Sequence, residues 1–165
     1  MSDAERCDGG AIWYFAYGSN MNAAIFLERR EMHPLAASRA RLDDYRLVFD
    51  IPVGSGERGV ANVEPSAGAH VWGVAYFLPL EECARLDHTE GVDGGLYGRI
   101  AVEVLIDGEK RLGAFTYRSS IAVSGRKPSP RYIGLLLEGA RRHRLPANYV
   151  ANLEGFELAV DERHA

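Results

Sequence analysis

The sequence predicts an α+β fold on two observations. Apolar runs of strand length outnumber stretches with helical spacing, and short turns join most of those runs. A doubly wound parallel sheet would need a helix after nearly every strand, which the chain lacks. With 165 residues, and no repeat, low-complexity tract or dividing linker, residues 11–165 are expected to form one domain.

In chain order, residues 1–10, MSDAERCDGG, read as a disordered lead-in, since these side chains offer little to a core. AIWYFAY, from Ala11, is apolar and too short for a helix, so it reads as a central strand. NAAIFLERR places Ala23, Phe26, Leu27 and Arg30 at helical spacing, with Asn22 as cap. SRARLDDYRLVFD reads as two strands around Asp43-Asp44, and GERGVANVEP as a short strand after a glycine-rich loop. HVWGVAYFL is a strongly apolar strand, after which Pro79 opens a short helix, LEECARLD. RIAVEVLI and KRLGAFTY flank Asp107-Gly108, the best hairpin signal in the chain. After the loop RSSIAVSGRKPSP, Ser129-Pro130 caps a helix with Ile133, Leu136, Leu137 and Ala140 on one face. PANYVANLEGF reads as a last short helix.

Composition excludes several classes. A net charge of −4 provides no global field for nucleic acid or an anionic membrane. The run Arg141, Arg142, His143, Arg144 reads as a basic helix end, where cations complement the exposed carbonyls. Cys7 and Cys83 cannot build a disulfide scaffold or a cysteine-only zinc site. Cys83 shares a helical face with Leu80 and Ala84, so a buried thiol is expected. The N-terminus carries no apolar signal region, and no apolar run is long enough to span a bilayer. A cytoplasmic location is the resulting expectation.

Most catalytic signatures fail. GVDGGLYG follows a helix and lacks Gly-x-Gly-x-x-Gly spacing, and GSGERG has no Lys-Ser/Thr of a phosphate loop. HTE at His88–Glu90 imitates a zinc deaminase but has no Pro-Cys-x-x-Cys partner. His33, His70, His88, His143 and His164 are scattered, so no metal site is expected. Ser19 sits in Gly-Ser-Asn rather than Gly-x-Ser-x-Gly, without a distinctive His-Asp pair. Glu90 remains. It stands at the exit of a short helix, before a loop containing Gly91, Gly94, Gly95, Tyr97 and Gly98. Such a loop lets backbone approach a ligand closely. Taken alone, Glu90 reads as a solvated surface charge, and composition does not overturn that reading.

Four stretches occur together in order: YFAYGSNM, VWGV, LDHTEGVDGGLYGRIAVEV and PSPRY. The chain resembles the γ-glutamylcyclotransferase family, with its γ-glutamylamine and antibiotic-tailoring members, over residues 12–155. The resemblance implies a small mixed β-barrel flanked by helices. It also implies cyclisation of a γ-glutamyl group to 5-oxoproline with release of an amine or amino acid, and no metal or organic cofactor. Residue by residue, it makes Glu90 the acid/base, and Tyr17, Gly18, Ser19 and Asn20 the γ-glutamyl-binding loop. Tyr97, Tyr132 and Tyr117 match aromatic positions around the site. The small-molecule partner is then a γ-glutamyl compound; glutathione is disfavoured, because glutathione-degrading relatives carry another residue after Tyr-Gly-Ser. The leaving group and the oligomeric state stay open.

The chemistry fits. An α-ammonium must lose a proton to attack the γ-carbonyl, and a partly buried Glu90 can take it. Backbone N–H groups of Gly18–Asn20 are candidates for the oxyanion. Other readings stand beside these: Tyr17 as strand-end packing, Ser19 and Asn20 as helix caps, and Tyr132 as the edge of an apolar stripe. Two rival functions stand as well, a non-catalytic binding module on the same fold and an amide hydrolase using Ser19.

Overall fold

The computed structural model describes residues 10–107 and 109–160. Strands β1 (Ala11–Ala16), β2 (Ala36–Pro52), β3 (Gly59–Pro79), β4 (Gly98–Ile106) and β5 (Lys110–Arg118) close into a barrel in the order β1-β3-β2-β4-β5. Every pairing is antiparallel except β5 to β1, which meet in parallel at Phe115 and Tyr14. Helices α1 (Leu80–Thr89), α2 (Pro130–Arg142) and α3 (Ala147–Glu154) flank it. A 3-10 turn (Ser19–Met21) and a π-helical segment (Ala24–Arg29) lie between β1 and β2. This is the mixed barrel with flanking helices that the resemblance implies.

β1 buries Tyr14, Phe15 and Ala16 in succession, so both of its faces are covered at that end. Tyr14 packs among Phe26, Phe115 and Tyr117, with ring centroids 5.9, 5.2 and 5.6 Å away. Burial of each such side chain contributes about 1.5–3 kcal/mol. The result is a rigid aromatic floor beneath the end of β1.

The strands depart from the sequence reading in one respect. The two strands expected around Asp43-Asp44 are one, of 17 residues, and the separate strands at 56–65 and 70–78 are one, of 21. The turn chemistry there makes a bulge. Asp43 pairs with His70 and Tyr45 with Pro65, leaving Asp44 opposite Ser66–Ala69. Asp44 takes φ 64, and its carboxylate accepts the Gly68 N–H at 3.0 Å. Pairing on both sides of the bulge carries the strands through it.

The first helix also differs. Asn22 Oδ1 does accept the Ala24 N–H at 3.0 Å, as a cap should. The segment is nevertheless wound to a bond from Arg30 N to Ile25 O at 2.9 Å. This wider turn buries Ile25 and Phe26 and leaves Leu27 exposed, displacing the expected stripe.

In α1 the buried face is Glu82, Cys83 and Leu86, while Leu80 and Ala84 are exposed. Cys83 is buried as expected, and burial pushes its thiol up to about 11, which keeps it unreactive. The hairpin pairs Ile106 with Lys110; its Gly108 lies outside the described residues, as do Cys7, His164 and all of the lead-in except Gly10.

Ser129 caps α2 by accepting the Tyr132 N–H at 3.1 Å, and Pro130 begins it. The basic run ends α2, where Arg141 reaches Glu154 of α3 at 3.5 Å. At Gly139, α2 presses on the 3-10 turn so closely that a Cβ would stand 2.7 Å from the Met21 carbonyl. No helix among the described residues is long and apolar enough to cross a membrane.

Candidate active site

β3 overshoots β1. Ala16 pairs with Val74, and the described pairings give the residues of β3 before Val74 a strand neighbour only in β2. Side chains satisfy the open edge instead. The Tyr97 hydroxyl donates to the Ala61 carbonyl at 2.7 Å, and the Ala61 N–H donates to the Tyr132 hydroxyl at 3.1 Å. Two steps on, Arg118 Nε donates to the Val63 carbonyl at 3.0 Å. The gap left by the shorter strand becomes a recess.

The chain leaving β1 closes one side of that recess. Met21 N bonds Gly18 O at 3.0 Å and Asn22 N bonds Ser19 O at 2.9 Å, which winds Ser19–Met21 into its turn. Tyr17 is anchored by donation to the Tyr117 carbonyl at 2.5 Å, so it packs at the strand end and also faces the recess. At Gly18 a Cβ would meet Tyr132 Oη at 3.1 Å and Ala61 Cβ at 3.3 Å. Here glycine makes room for neighbouring protein atoms.

Glu90 arrives from α1. Its N–H closes the helix on Leu86 O at 2.9 Å, and Gly91 at φ 69 then turns the chain away. The recess is lined by all eight residues singled out from sequence: Tyr17, Gly18, Ser19, Asn20, Glu90, Tyr97, Tyr117 and Tyr132. Tyr14 and Ala61 complete the lining.

Asn20 is the hub. Its Nδ2 donates to Glu90 Oε1 at 2.8 Å and to the Tyr14 hydroxyl at 2.9 Å. Its Oδ1 accepts from Arg30 Nε at 2.6 Å, and its backbone carbonyl from the Tyr76 hydroxyl at 2.9 Å. The Arg30 bond fixes the orientation of the amide, because a guanidinium only donates. Among the described residues nothing is bonded to Glu90 Oε2.

Burial raises the Glu90 carboxyl above its ordinary value, opposed by the Arg30 charge and the Asn20 bond. Burial also raises Tyr14, Tyr17 and Tyr97 well above the usual phenol value, and takes Tyr132 to about 12. The phenols therefore stay protonated at neutral pH, and Glu90 is the one carboxyl among the groups that line the recess. The Tyr132 hydroxyl accepts the Ala61 N–H, which leaves its own proton to donate. Behind Tyr117, Asp87 Oδ1 accepts from its hydroxyl at 2.5 Å and from Arg99 Nε at 2.7 Å.

Sequence reasoning missed Tyr14, Ala61, Arg30, Tyr76 and Asp87. Signals existed for two of them. Asp87 lies one helical turn before Glu90, and Arg30 interrupts an otherwise apolar stripe. Ala61 contributes only peptide groups, which no residue pattern announces. Among the described residues no three His, Cys, Asp or Glu side chains converge as metal ligands.

Comparison with known proteins agrees with the architecture. The AIG2-like family model matches residues 70–153. The γ-glutamylcyclotransferases of Bos taurus and Homo sapiens are each 33% identical over 162 residues, covering 94% of this chain and 84% of theirs. A solved γ-glutamyl cyclotransferase superposes with a TM-score of 0.82 at 28% identity, over 93% of this chain and 92% of its own.

Proposed function

Because the chain belongs to the AIG2-like γ-glutamylcyclotransferase family, and so to a family of enzymes, we propose that it converts a γ-glutamyl amine or amino acid to 5-oxoproline with Glu90 as acid and base. The carrying observation is the Asn20–Glu90 bond, which holds one carboxylate oxygen of a residue lining the recess and leaves the other without a bond among the described residues.

Glu90 takes a proton from the substrate α-ammonium, helped by the raised affinity that burial gives it. The free amine attacks the γ-carbonyl carbon of its own chain, closing a five-membered ring at high effective concentration. The amide carbon–nitrogen bond then breaks as Glu90 returns the proton to the leaving nitrogen, and the second proton of the ring nitrogen passes through Glu90 to the released amine, which departs as an ammonium. Atoms balance without water or an external group.

The backbone N–H groups of Gly18–Asn20, in the recess lining, remain the candidates for the developing oxyanion. The Tyr132 hydroxyl, which accepts the Ala61 N–H, adds a further donor to the developing charge, a contribution commonly worth about 3 kcal/mol. The Ser19 hydrolase is the weaker reading: among the described residues no histidine or carboxylate is bonded to Ser19 Oγ to activate it.

The test is a panel of γ-glutamyl amines and γ-glutamyl amino acids assayed for 5-oxoproline by mass analysis. Release of 5-oxoproline from panel members supports the reading. Release of linear glutamate would falsify it.

A further inference from the structure

A second recess lies beside the first. It is lined by Leu96, Tyr97, Gly98, Arg99, Arg118 and Ser120, among others, and shares Tyr97 with the reactive one. The open edge of β3 sets the distance between them. Tyr97 bonds the carbonyl of Ala61 and Arg118 that of Val63, two residues along the same edge. At about 3.3 Å per residue, the two side chains meet the edge about 7 Å apart. In a γ-glutamyl amino acid, the carboxylate of the departing amino acid lies only two bonds beyond the scissile nitrogen.

The recess holds two guanidinium groups with different charge environments. Arg99 is paired with Asp87 at 2.7 Å and lies over the Phe115 ring at 4.3 Å, so its charge is already met. Arg118 spends Nε on Val63 O and has no carboxylate partner among the described residues. In a chain of net charge −4, an unmatched fork-shaped donor at the rim of a reactive recess is suited to a carboxylate.

Resting on the cyclotransferase reading, we infer that this second recess is the leaving-group subsite and that Arg118 binds a carboxylate on the departing amine. The preferred substrates are then γ-glutamyl amino acids and peptides that present a carboxylate near the scissile bond. Simple γ-glutamyl amines lack the group that Arg118 recognises. Arg118 is a specificity residue and takes no part in proton transfer.

The experiment compares γ-glutamyl-alanine with γ-glutamyl-ethylamide, which differ only by that carboxylate. A charge-assisted contact predicts a kcat/KM for the wild type about tenfold to a hundredfold higher on γ-glutamyl-alanine, mostly through KM. In Arg118→Gln the ratio collapses toward one, and in Arg118→Lys it is partly kept. A wild-type ratio near one overturns the inference without any variant, so a poorly folding Arg118→Gln does not rescue it. Equal loss on both substrates in Arg118→Gln also overturns it, by assigning Arg118 to the γ-glutamyl unit or to the fold. Absence of 5-oxoproline from both substrates overturns the parent reading, and this one with it.

Discussion

Asn20 and Glu90, 70 positions apart in the chain, are joined by a 2.8 Å bond from Nδ2 to Oε1. One partner leaves the end of β1 and the other the end of α1, so the bond ties a strand exit to a helix exit. Arg30 behind Asn20 sets which amide atom faces the carboxylate.

Glu90→Gln keeps the acceptor oxygen for Asn20 but cannot take a proton. Its 5-oxoproline release should fall by about 10²–10⁴-fold, with ligand affinity largely retained. Stability should move the other way. Burial raises Glu90 in the fold, so ionised Glu90 is destabilising once pH exceeds its folded value. Glu90→Gln should therefore melt at a higher temperature than wild type at neutral pH. The difference should vanish below the unfolded carboxylate value, which thermal melts across pH would show.

Arg30→Met removes a charge that lowers the Glu90 carboxyl. The acidic limb of the kcat/KM profile, where Glu90 gains its proton and activity falls, should move to higher pH. A limb that stays in place would remove Arg30 from the proton-transfer network.

Gly18→Ala should push against Tyr132 Oη and Ala61 Cβ, at a cost of about 1–3 kcal/mol in stability. Displacing Tyr132 also costs turnover. Steady-state kinetics on the folded variant, with wild-type kinetics as the contrary outcome, decide whether this contact shapes the site.

Gly139→Ala acts from behind the turn. Its methyl would meet Met21 backbone at 2.7 Å, and Met21 follows Asn20 directly. Loss of stability should be of similar size, about 1–3 kcal/mol, with reduced activity although Gly139 does not line the recess. Denaturant melts and turnover measured together would separate the two effects.

N-acetylation of the substrate blocks the attacking amine. Turnover should cease even for an analogue shown by calorimetry to bind. Linear glutamate from a bound N-acetyl substrate would instead favour water or Ser19 as nucleophile, and Ser19→Ala should then lose all activity rather than a modest part.

Most of the recess lining was legible in the sequence because six of its residues cluster in two short motifs, and the resemblance added Tyr117 and Tyr132. Tyr17–Asn20 and Glu90–Tyr97 each sit where a regular element ends, and such ends show in local patterns. The π-helical winding and the bulge at Asp44 were not legible. Both arise where tertiary pairing overrides a local preference: Asp44 has turn chemistry, yet the strand persists on both sides. Arg30 and Tyr76 were missed because each acts on Asn20 from behind and shows no motif of its own.

Ala61 holds both tyrosine hydroxyls through main-chain atoms alone. An alanine scan passes over it silently, since the position is already alanine, and most side-chain replacements would leave both bonds in place. Evolutionary drift at 61 is therefore constrained by volume next to Gly18 rather than by chemistry. Backbone engineering reaches it directly: replacing the amide between Val60 and Ala61 with an ester deletes the N–H donor to Tyr132 and leaves Tyr97 its carbonyl, splitting the two tyrosines with one atom.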